Sequence, residues 1–251
     1  MNTRYILFFV TTMTVVVALA LTGFREATKE KAAQNEAIFN KRAILSAVDN
    51  YLGMGEGVTA NSLTDEQVLD IFQNRITQHV LNAEGGMIDG VKAEDVDMAK
   101  ERKKPVDERR LPLFVYEYDG QTFYIVSVRG NGLWDEIWGN IDLESDVNTI
   151  AGASFDHKGE TPGLGAEIKD NPAFPRQFIG TKIFEDGKFV SVTVRKGGAR
   201  DETHEVDGIS GATITSDGVT DMLYNGLELY LPYLESIKDE KGAGMETMLV
   251  E

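Results

Sequence analysis

The longest apolar segment of the chain lies near its N-terminus. No charged residue occurs between Tyr5 and Phe24, and Arg4 and Arg25 flank the segment. About 20 helical residues at about 1.5 Å each span about 30 Å, which is the thickness of the hydrocarbon core of a bilayer. The pattern predicts a single transmembrane helix. A cleaved signal peptide is the alternative, because residues 18–20 have the small-x-small form of a cleavage site.

Two amphipathic helices are predicted between this segment and the first strands. One runs over residues 25–52 and places its apolar side chains on one face. The other begins with a capping box at residues 64–67, and its apolar stripe continues to Ile76, with His79 near the helix end. The charged run at residues 94–110 is interpreted as a solvated linker.

Beyond this linker the apolar residues alternate as they do in β-strands. Residues 113–118 and 121–128 alternate around Asp119-Gly120, which predicts a hairpin with a tight turn. A second hairpin is predicted from 178–184 and 189–195, and further strand-like pieces lie at 141–150 and 152–155. Strands and helices do not alternate regularly, so the predicted fold class is α+β.

These patterns divide the chain into three parts. They are a transmembrane anchor over residues 1–24, a helical connecting region over residues 25–110, and a domain of mixed strands and helices over residues 111–251. The chain is 42% hydrophobic and 26% charged, which is typical of a folded core. A net charge of −16 argues against nucleic acid as a partner. The chain has no cysteine, which excludes disulfides and thiolate ligation of zinc or iron–sulfur clusters by this chain.

Residues 207–216 form the most informative polar segment. Two glycines and four hydroxyl-bearing residues precede apolar residues spaced three and four apart, which predicts a turn that leads into a helix. The first N–H groups of a helix lack intrahelical partners and lie at the positive end of its dipole, so this turn favours a phosphate. An ordinary N-cap formed by Thr215 or Ser216 is the alternative.

Two glycine-containing loops precede this turn. Gly130-x-Gly132-Leu133-Trp134 ends a strand, and by itself this pattern more often places the tryptophan in the core. His157 precedes a loop at residues 159–165 in which Gly163 and Gly165 would let the backbone approach a planar ligand closely. His157 has no neighbouring cysteine or histidine, so no metal site is predicted.

Together these segments resemble a known family. Asp207-x-x-Ser210-Gly211-Ala212-Thr213 resembles the flavinylation motif of FMN-binding domains. With the two loops and the N-terminal anchor, the chain resembles the C subunit of the Na⁺-translocating NADH:quinone reductases, of which the G subunit of the Rnf electron-transport complex is a close relative. The long segment over residues 25–128 favours the former. The additional Gly159 departs from the usual loop pattern and leaves the role of His157 open.

The resemblance implies an electron-transfer flavoprotein with no catalytic residue of its own. Thr213 would carry FMN through a phosphoester bond, and Ser210, Gly211 and Ala212 would shape the phosphate turn. Four further residues are predicted to hold the isoalloxazine ring: Glu160, Thr161, Leu164 and Trp134. The side chain that stacks on the ring could be Trp134, Phe155 or Leu164.

The resemblance also implies partners and a location. The partners are the other subunits of a membrane-bound, cation-translocating NADH:quinone oxidoreductase, a separate flavin transferase and the lipid bilayer. The soluble domain would lie on the periplasmic side of a bacterial inner membrane, although positive charges flank the anchor on both sides and leave its orientation open. The apolar segment from Tyr5 to Phe24 contains no charged residue and therefore offers no ion path.

Three alternatives remain. The first is the equivalent flavoprotein subunit of an Rnf-type ferredoxin:NAD oxidoreductase. The second belongs to a different class, a membrane-anchored binding or assembly domain without flavin. The third, a hydrolase with Ser210 or Thr213 as nucleophile, is the least favoured, because no Gly-x-Ser-x-Gly elbow surrounds Ser210.

Overall fold

Five strands pair into one antiparallel sheet. The computed structural model describes residues 3–53 and 57–238. The sheet has the order β1-β2-β3-β4-β5, with every neighbouring pair antiparallel. Its strands are β1 (Ile76–Leu81), β2 (Leu111–Tyr118), β3 (Gln121–Asn131), β4 (Glu136–Leu143) and β5 (Ile150–His157). The predicted β2–β3 hairpin is confirmed, with positive φ angles of 50° at Asp119 and 73° at Gly120.

Six α-helices, a further helical stretch over residues 231–238 and two short strand pairs complete the described residues. The helices are α1 (Thr3–Leu45), α2 (Asp65–Arg75), α3 (Met98–Glu101), α4 (Glu167–Asp170), α5 (Ala173–Arg176) and α6 (Thr213–Glu228). The short pairs are β6 (Phe184–Glu185) with β7 (Lys188–Phe189), antiparallel, and β8 (Thr193–Arg195) with β9 (Glu205–Asp207), parallel. Short 3₁₀ turns lie at Ser46–Tyr51, Ala60–Ser62, Ala93–Asp95 and Val106–Glu108. The mixture confirms the α+β class.

The N-terminal helix α1 has the length and composition of a membrane span. Its most apolar window has a mean hydropathy of 2.3, and none of that window is buried. Among the described residues it is the one helix that could cross a membrane, and a signal sequence near the N-terminus would share these properties. The chain divides into two compact units at this helix, Met1–Asn40 and Lys41–Glu251.

Helix α6 packs against one face of the sheet, over β3. Gly130 and Gly226 lie at this contact, where a Cβ on Gly130 would meet Met222 and a Cβ on Gly226 would meet Val128. Beyond the helix end, the buried Tyr230 hydroxyl lies 3.0 Å from the carbonyl oxygen of Pro112 and 3.1 Å from that of Ser127. These contacts fix the position of α6, and with it the turn that precedes the helix.

On the opposite face of the sheet, the 3₁₀ turn Ser46–Tyr51 packs against β4 and β5. The carbonyl oxygen of Ala47 approaches β5 at Gly152, where a Cβ would collide with it. Asp142 on β4 alternates with the core residues Ile141 and Leu143 and therefore faces this side. It is fully buried, and neither carboxylate oxygen has a hydrogen-bond partner among the described residues. Burial, with a smaller contribution from Glu144, raises the pKa of Asp142 well above its usual value.

The capping box is confirmed, but the helix that follows it ends earlier than predicted. The Thr64 hydroxyl accepts from Gln67 N and the Gln67 side chain accepts from Thr64 N, as the pattern requires. Ile76 is already extended, with φ −114° and ψ 122°, and it pairs with Tyr116. His79 therefore lies in β1 and not near a helix end, because adding a strand to the sheet buries Val80 and Leu81.

Residues 94–110 are largely solvent-exposed, as the charge pattern predicts, but they are also tied to the sheet. Glu101 is only 8% exposed, and its carboxylate accepts from Lys104 Nζ and from Arg110 N. The half-buried Arg102 donates to the carbonyl oxygen of Gly130 and to Asn131 Oδ1, at 3.1 and 2.9 Å. The charges of this segment therefore hold it against the end of β3.

The second predicted hairpin forms only at its turn. Asp186 and Gly187 have φ angles of 48° and 77° between the two-residue strands β6 and β7. The prediction of a strand over residues 178–183 is wrong, since Thr181 N and its hydroxyl both donate to the carbonyl oxygen of Phe178 in a turn. Further along, β8 pairs with β9, which leads directly into residues 207–216.

Candidate functional site

The predicted turn after β9 is present, and helix α6 follows it. The helix begins before Thr215 and Ser216, the two residues predicted to cap it. Gly211 has φ 77°, which favours glycine, and α6 begins at Thr213 after Ala212. The prediction that Thr215 or Ser216 caps the helix is wrong, because both lie inside it. Alanine has no side chain that could cap α6, so its first N–H groups remain available to a ligand.

A cavity of about 430 Å³ opens at this helix end. Three of the predicted residues, Ser210, Gly211 and Thr213, line it, whereas Ala212 is buried beside them. The full lining is Lys196, Gly197, Gly198, Asp207, Gly208, Ile209, Ser210, Gly211, Thr213 and Ser216. The cavity therefore combines a positive helix end, hydroxyl groups and a lysine, which is a suitable environment for a phosphate.

The wall formed by Lys196, Gly197 and Gly198 is not predicted by the sequence. Both glycines have positive φ angles, 84° and 103°, and Asp207 Oδ1 accepts from Ala199 N at 2.8 Å. The Gly-Gly pair after a strand is the available signal, but its position beside Thr213 depends on the β8–β9 pairing. Hydrogen bonds from Arg195 and from Arg200 N lower the pKa of Glu205 to about 2, so this pairing includes an ionised carboxylate.

The two glycine loops meet beside this cavity. The indole Nε1 of Trp134 donates to the hydroxyl of Thr161 at 3.1 Å. A Cβ on Gly211 would lie 2.8 Å from Leu164 Cδ2, so the second loop touches the turn before α6. The structure thus brings Trp134, Thr161, Leu164 and the 210–213 turn together.

Glu160, in the second loop, is buried and connects this loop to the first loop and to α6. It is 5% exposed; Oε1 accepts from Trp134 N at 2.9 Å, and Oε2 accepts from the Thr215 hydroxyl at 2.7 Å. Its own N–H donates to His157 Nδ1 at 3.1 Å, which gives His157 a role in the turn that contains Gly159. Thr215, like Lys196, is a residue that the sequence does not assign to the site.

Several apolar side chains of the two loops and of the first turn of α6 are exposed to solvent. Trp134 is 68% exposed and Leu164 is 40% exposed, and Leu133 and Ile214 are also exposed. Phe155, by contrast, is buried, with its ring 5.1 Å from that of Phe178. A planar, partly apolar ligand held at the helix end would find contacts on the exposed side chains, whereas Phe155 belongs to the core. No cluster of three or more His, Asp or Glu side chains that could hold a metal ion occurs among the described residues.

Replacing Gly165 by alanine is expected to destabilise the chain by about 1–3 kcal/mol, the usual cost of overpacking. The added Cβ would collide with Glu160 Oε2 and Thr215 Oγ1, both of which are buried and hydrogen-bonded. Urea unfolding of the full chain in detergent measures the change. Gly159→Ala in the same loop is the matched control, because its Cβ would lie 4.0 Å from the nearest atom, in Asp135. Equal stability of the two variants would contradict the packing argument.

Comparison with known proteins gives consistent matches. The family model described as "FMN-binding domain" matches residues 132–228. The C subunit of the Na(+)-translocating NADH-quinone reductase from Pseudomonas aeruginosa is 31% identical over 249 residues, covering 85% of this chain and 90% of that protein. The protein of the same name from Vibrio vulnificus is 30% identical over 246 residues, covering 90% of each.

Solved structures match over most of the chain as well. The crystal structure of the C subunit from Parabacteroides distasonis is 38% identical, with a TM-score of 0.71, and covers 82% of this chain and 96% of that one. The structure of Shewanella oneidensis NqrC is 26% identical with a TM-score of 0.63, and covers 80% of this chain and 99% of that one.

Proposed function

Because this chain belongs to the family of the C subunit of the Na(+)-translocating NADH-quinone reductase, we propose that it is the FMN-binding electron-transfer subunit of such a complex and carries FMN covalently on Thr213. The observation that carries the proposal is the position of Thr213. It is the first residue of α6 and lines a cavity of about 430 Å³ at the uncapped end of that helix.

The residues around Thr213 fit the phosphate of FMN. The N–H groups of the first turn of α6 and the helix dipole favour the negative charge, and Ser210 adds a hydroxyl at the cavity wall. Gly211, with φ 77°, lets the backbone turn without a side chain in the space. Lys196, which lines the same cavity, supplies a positive charge.

The exposed apolar side chains fit the ring of the same cofactor. Trp134 and Leu164 present apolar surface beside the cavity, and Thr161 orients the indole through its hydrogen bond. Bound FMN supplies reversible electron transfer, and the protein contributes binding, orientation and electrostatics. No residue of this chain is required to act as an acid, base or nucleophile during turnover.

Thr213 acts chemically only once, during maturation by a separate flavin transferase. Its hydroxyl loses a proton, and its oxygen forms the bond to the phosphorus of an activated flavin nucleotide, from which the remaining nucleotide departs as the leaving group. The oxidation state of the flavin does not change in this step. A permanent link keeps the carrier in place when its charge changes during electron transfer.

The proposed organisation follows the same three parts. Residues 1–24 anchor the chain in the lipid bilayer. Residues 25–110 connect this anchor to the FMN-binding domain and contribute strand β1 to its sheet. Residues 111–251 form the domain that binds FMN, of which residues 239–251 lie outside the described part. With no cysteine in the chain, iron–sulfur centres belong to other subunits. Cation translocation is a property of the complex. The alternative of an Rnf-type protein has less support, since relatives named for the NADH-quinone reductase align over 90% of their length.

The experiment that tests the proposal is co-expression of the full chain with a flavin transferase. We expect an increase in intact mass corresponding to one FMN, a yellow chain after denaturation, and a modified peptide that contains Thr213. The chain expressed without the transferase is the control and should be unmodified. An unmodified, colourless chain after co-expression would falsify the covalent proposal.

The domain is expected to lie on the periplasmic side of the inner membrane. A cysteine placed at the exposed Gly159, in a chain that otherwise has none, should react with a membrane-impermeant maleimide in intact cells. A second cysteine variant at Asn2, which precedes the apolar segment in the sequence, should react only after the membrane is opened. The reverse labelling pattern would place the domain in the cytoplasm and overturn the proposed orientation.

A further inference from the structure

Thr215 lies two residues after the proposed attachment point but faces the interior. It is 1% exposed, and its hydroxyl donates to Glu160 Oε2 at 2.7 Å. The other oxygen of Glu160 accepts from Trp134 N at 2.9 Å. Both carboxylate oxygens are therefore engaged within the protein, and hydrogen bonds to a carboxylate are among the stronger ones.

The backbone closes directly around this pair. A Cβ on Gly132 would collide with Glu160 Oε1, and a Cβ on Gly165 would collide with Glu160 Oε2 and with Thr215 Oγ1. Gly218 of α6 likewise leaves space for the carbonyl oxygen of Asn131. The glycines of both loops and of the helix thus allow three backbone segments to meet at one carboxylate.

Each of the three segments carries one part of the proposed flavin site. The 132–135 turn carries Trp134, the 160–165 loop carries Leu164, and the first turn of α6 carries Thr213. These segments are distant in sequence, so their relative positions depend on contacts such as those of Glu160. Loss of either hydrogen bond would leave a buried polar group without its partner, which opposes the closed arrangement.

We propose that Glu160 and Thr215 are positioning residues that hold the two ring-contacting loops at a fixed place relative to the attachment point of the flavin. The inference rests on the proposed function, because it concerns the same site. Glu160 acts through the loops, since it is buried and both of its oxygens accept hydrogen bonds from within the protein. The pair sets the pose of a cofactor that the covalent bond alone leaves free to rotate.

The test compares Thr215→Val, which removes the hydroxyl at nearly constant volume, with Glu160→Gln. Amide hydrogen exchange of the full chain without flavin is measured at residues 132–135 and 160–165. We expect exchange there to become about tenfold faster or more in both variants, corresponding to the loss of one charge-assisted hydrogen bond. In the flavin-loaded chain, time-resolved fluorescence anisotropy should show a fast internal motion of the flavin that is absent in the wild type.

Thr220→Val is the matched control on the same helix. The Thr220 hydroxyl accepts from Val194 N at 2.9 Å, away from Glu160, so its removal reports general destabilisation of α6. It should leave exchange at the two loops and the flavin anisotropy as in the wild type. Unchanged exchange in flavin-free Thr215→Val and Glu160→Gln would overturn the inference, as would unchanged anisotropy in the flavin-loaded variants or equal changes in Thr220→Val. Failure of the proposed function is a separate result, seen as a wild-type chain without the added mass of FMN.

Discussion

Replacing Thr213 by alanine is expected to abolish covalent attachment of FMN completely while leaving the fold intact. The substitution removes the only atom proposed to bond to the phosphate. Alanine is a strong helix former and Thr213 is the first, partly exposed residue of α6, so stability should change by no more than about 0.5 kcal/mol. Intact mass and the absorption spectrum after denaturation, following co-expression with the transferase, measure the result.

Two variants make this prediction specific. Thr213→Ser keeps a hydroxyl at the same position and should still accept the flavin. Thr215→Val should also remain modified, because the Thr215 hydroxyl is buried and bonded to Glu160 and so is inaccessible to a transferase. A covalent flavin on Thr213→Ala would show that another hydroxyl is the attachment point.

Replacing Asp142 by asparagine is expected to remove a steep loss of stability with rising pH. Asp142 is fully buried without a hydrogen-bond partner in the described part of the chain, and burial raises its pKa well above the usual value. The folded chain therefore keeps this carboxyl protonated at a pH where the unfolded chain has released the proton. Asparagine has a similar shape and does not titrate.

The sign follows from the proton count. Between the ordinary aspartate pKa and the raised folded pKa, the folded state binds one proton more, so the free energy of unfolding falls by up to about 1.4 kcal/mol for each unit of pH. This contribution to stability is fully present at low pH and is lost as pH rises through the folded pKa. Of the neighbouring groups, burial also raises the pKa of Asp49 and of Tyr51, and the charge of Asp142 contributes to the raised pKa of Tyr51 and of Tyr116.

Urea unfolding of the full chain in detergent at several pH values measures this difference. Subtracting the variant from the wild type cancels the titrating groups that do not interact with Asp142, and the difference should decrease as the pH rises between the ordinary aspartate pKa and the raised one. Asp186→Asn, at an exposed turn, is the control and should run parallel to the wild type. A wild-type curve parallel to that of Asp142→Asn would contradict a protonated, buried Asp142.

Features encoded within a few residues could be predicted. The capping box joins Thr64 to Gln67, three residues away, and the Asp119-Gly120 turn requires only the left-handed conformation that these two residues tolerate. The family resemblance is confirmed by relatives that bear the family's name and match most of the chain. It depends on motifs read directly from the sequence, so no long-range contact had to be known.

Features that depend on distant partners were wrong or missed. The apolar spacing of residues 68–76 predicts a helix that ends near His79, but β2 supplies a partner for Ile76 and its neighbours and makes them a strand. The charges of residues 94–110 predict solvent exposure, which holds for most of the segment, but Glu101 accepts hydrogen bonds from Lys104 and from Arg110 N and is buried. In both places tertiary contacts outweigh local preference.

The sequence by itself determined the anchor-like apolar helix, the α+β class, the family and its FMN-binding motif, because each of these is expressed in composition, periodicity or short contiguous motifs. Only the tertiary structure decided that Lys196 and Thr213 line one cavity, that Asp142 is buried without a partner among the described residues, and that Thr215 bonds to Glu160. The physical reason is that these contacts join residues brought together by strand pairing and by the packing of α6 on the sheet. Their free energies depend on burial and distance, which no local pattern records.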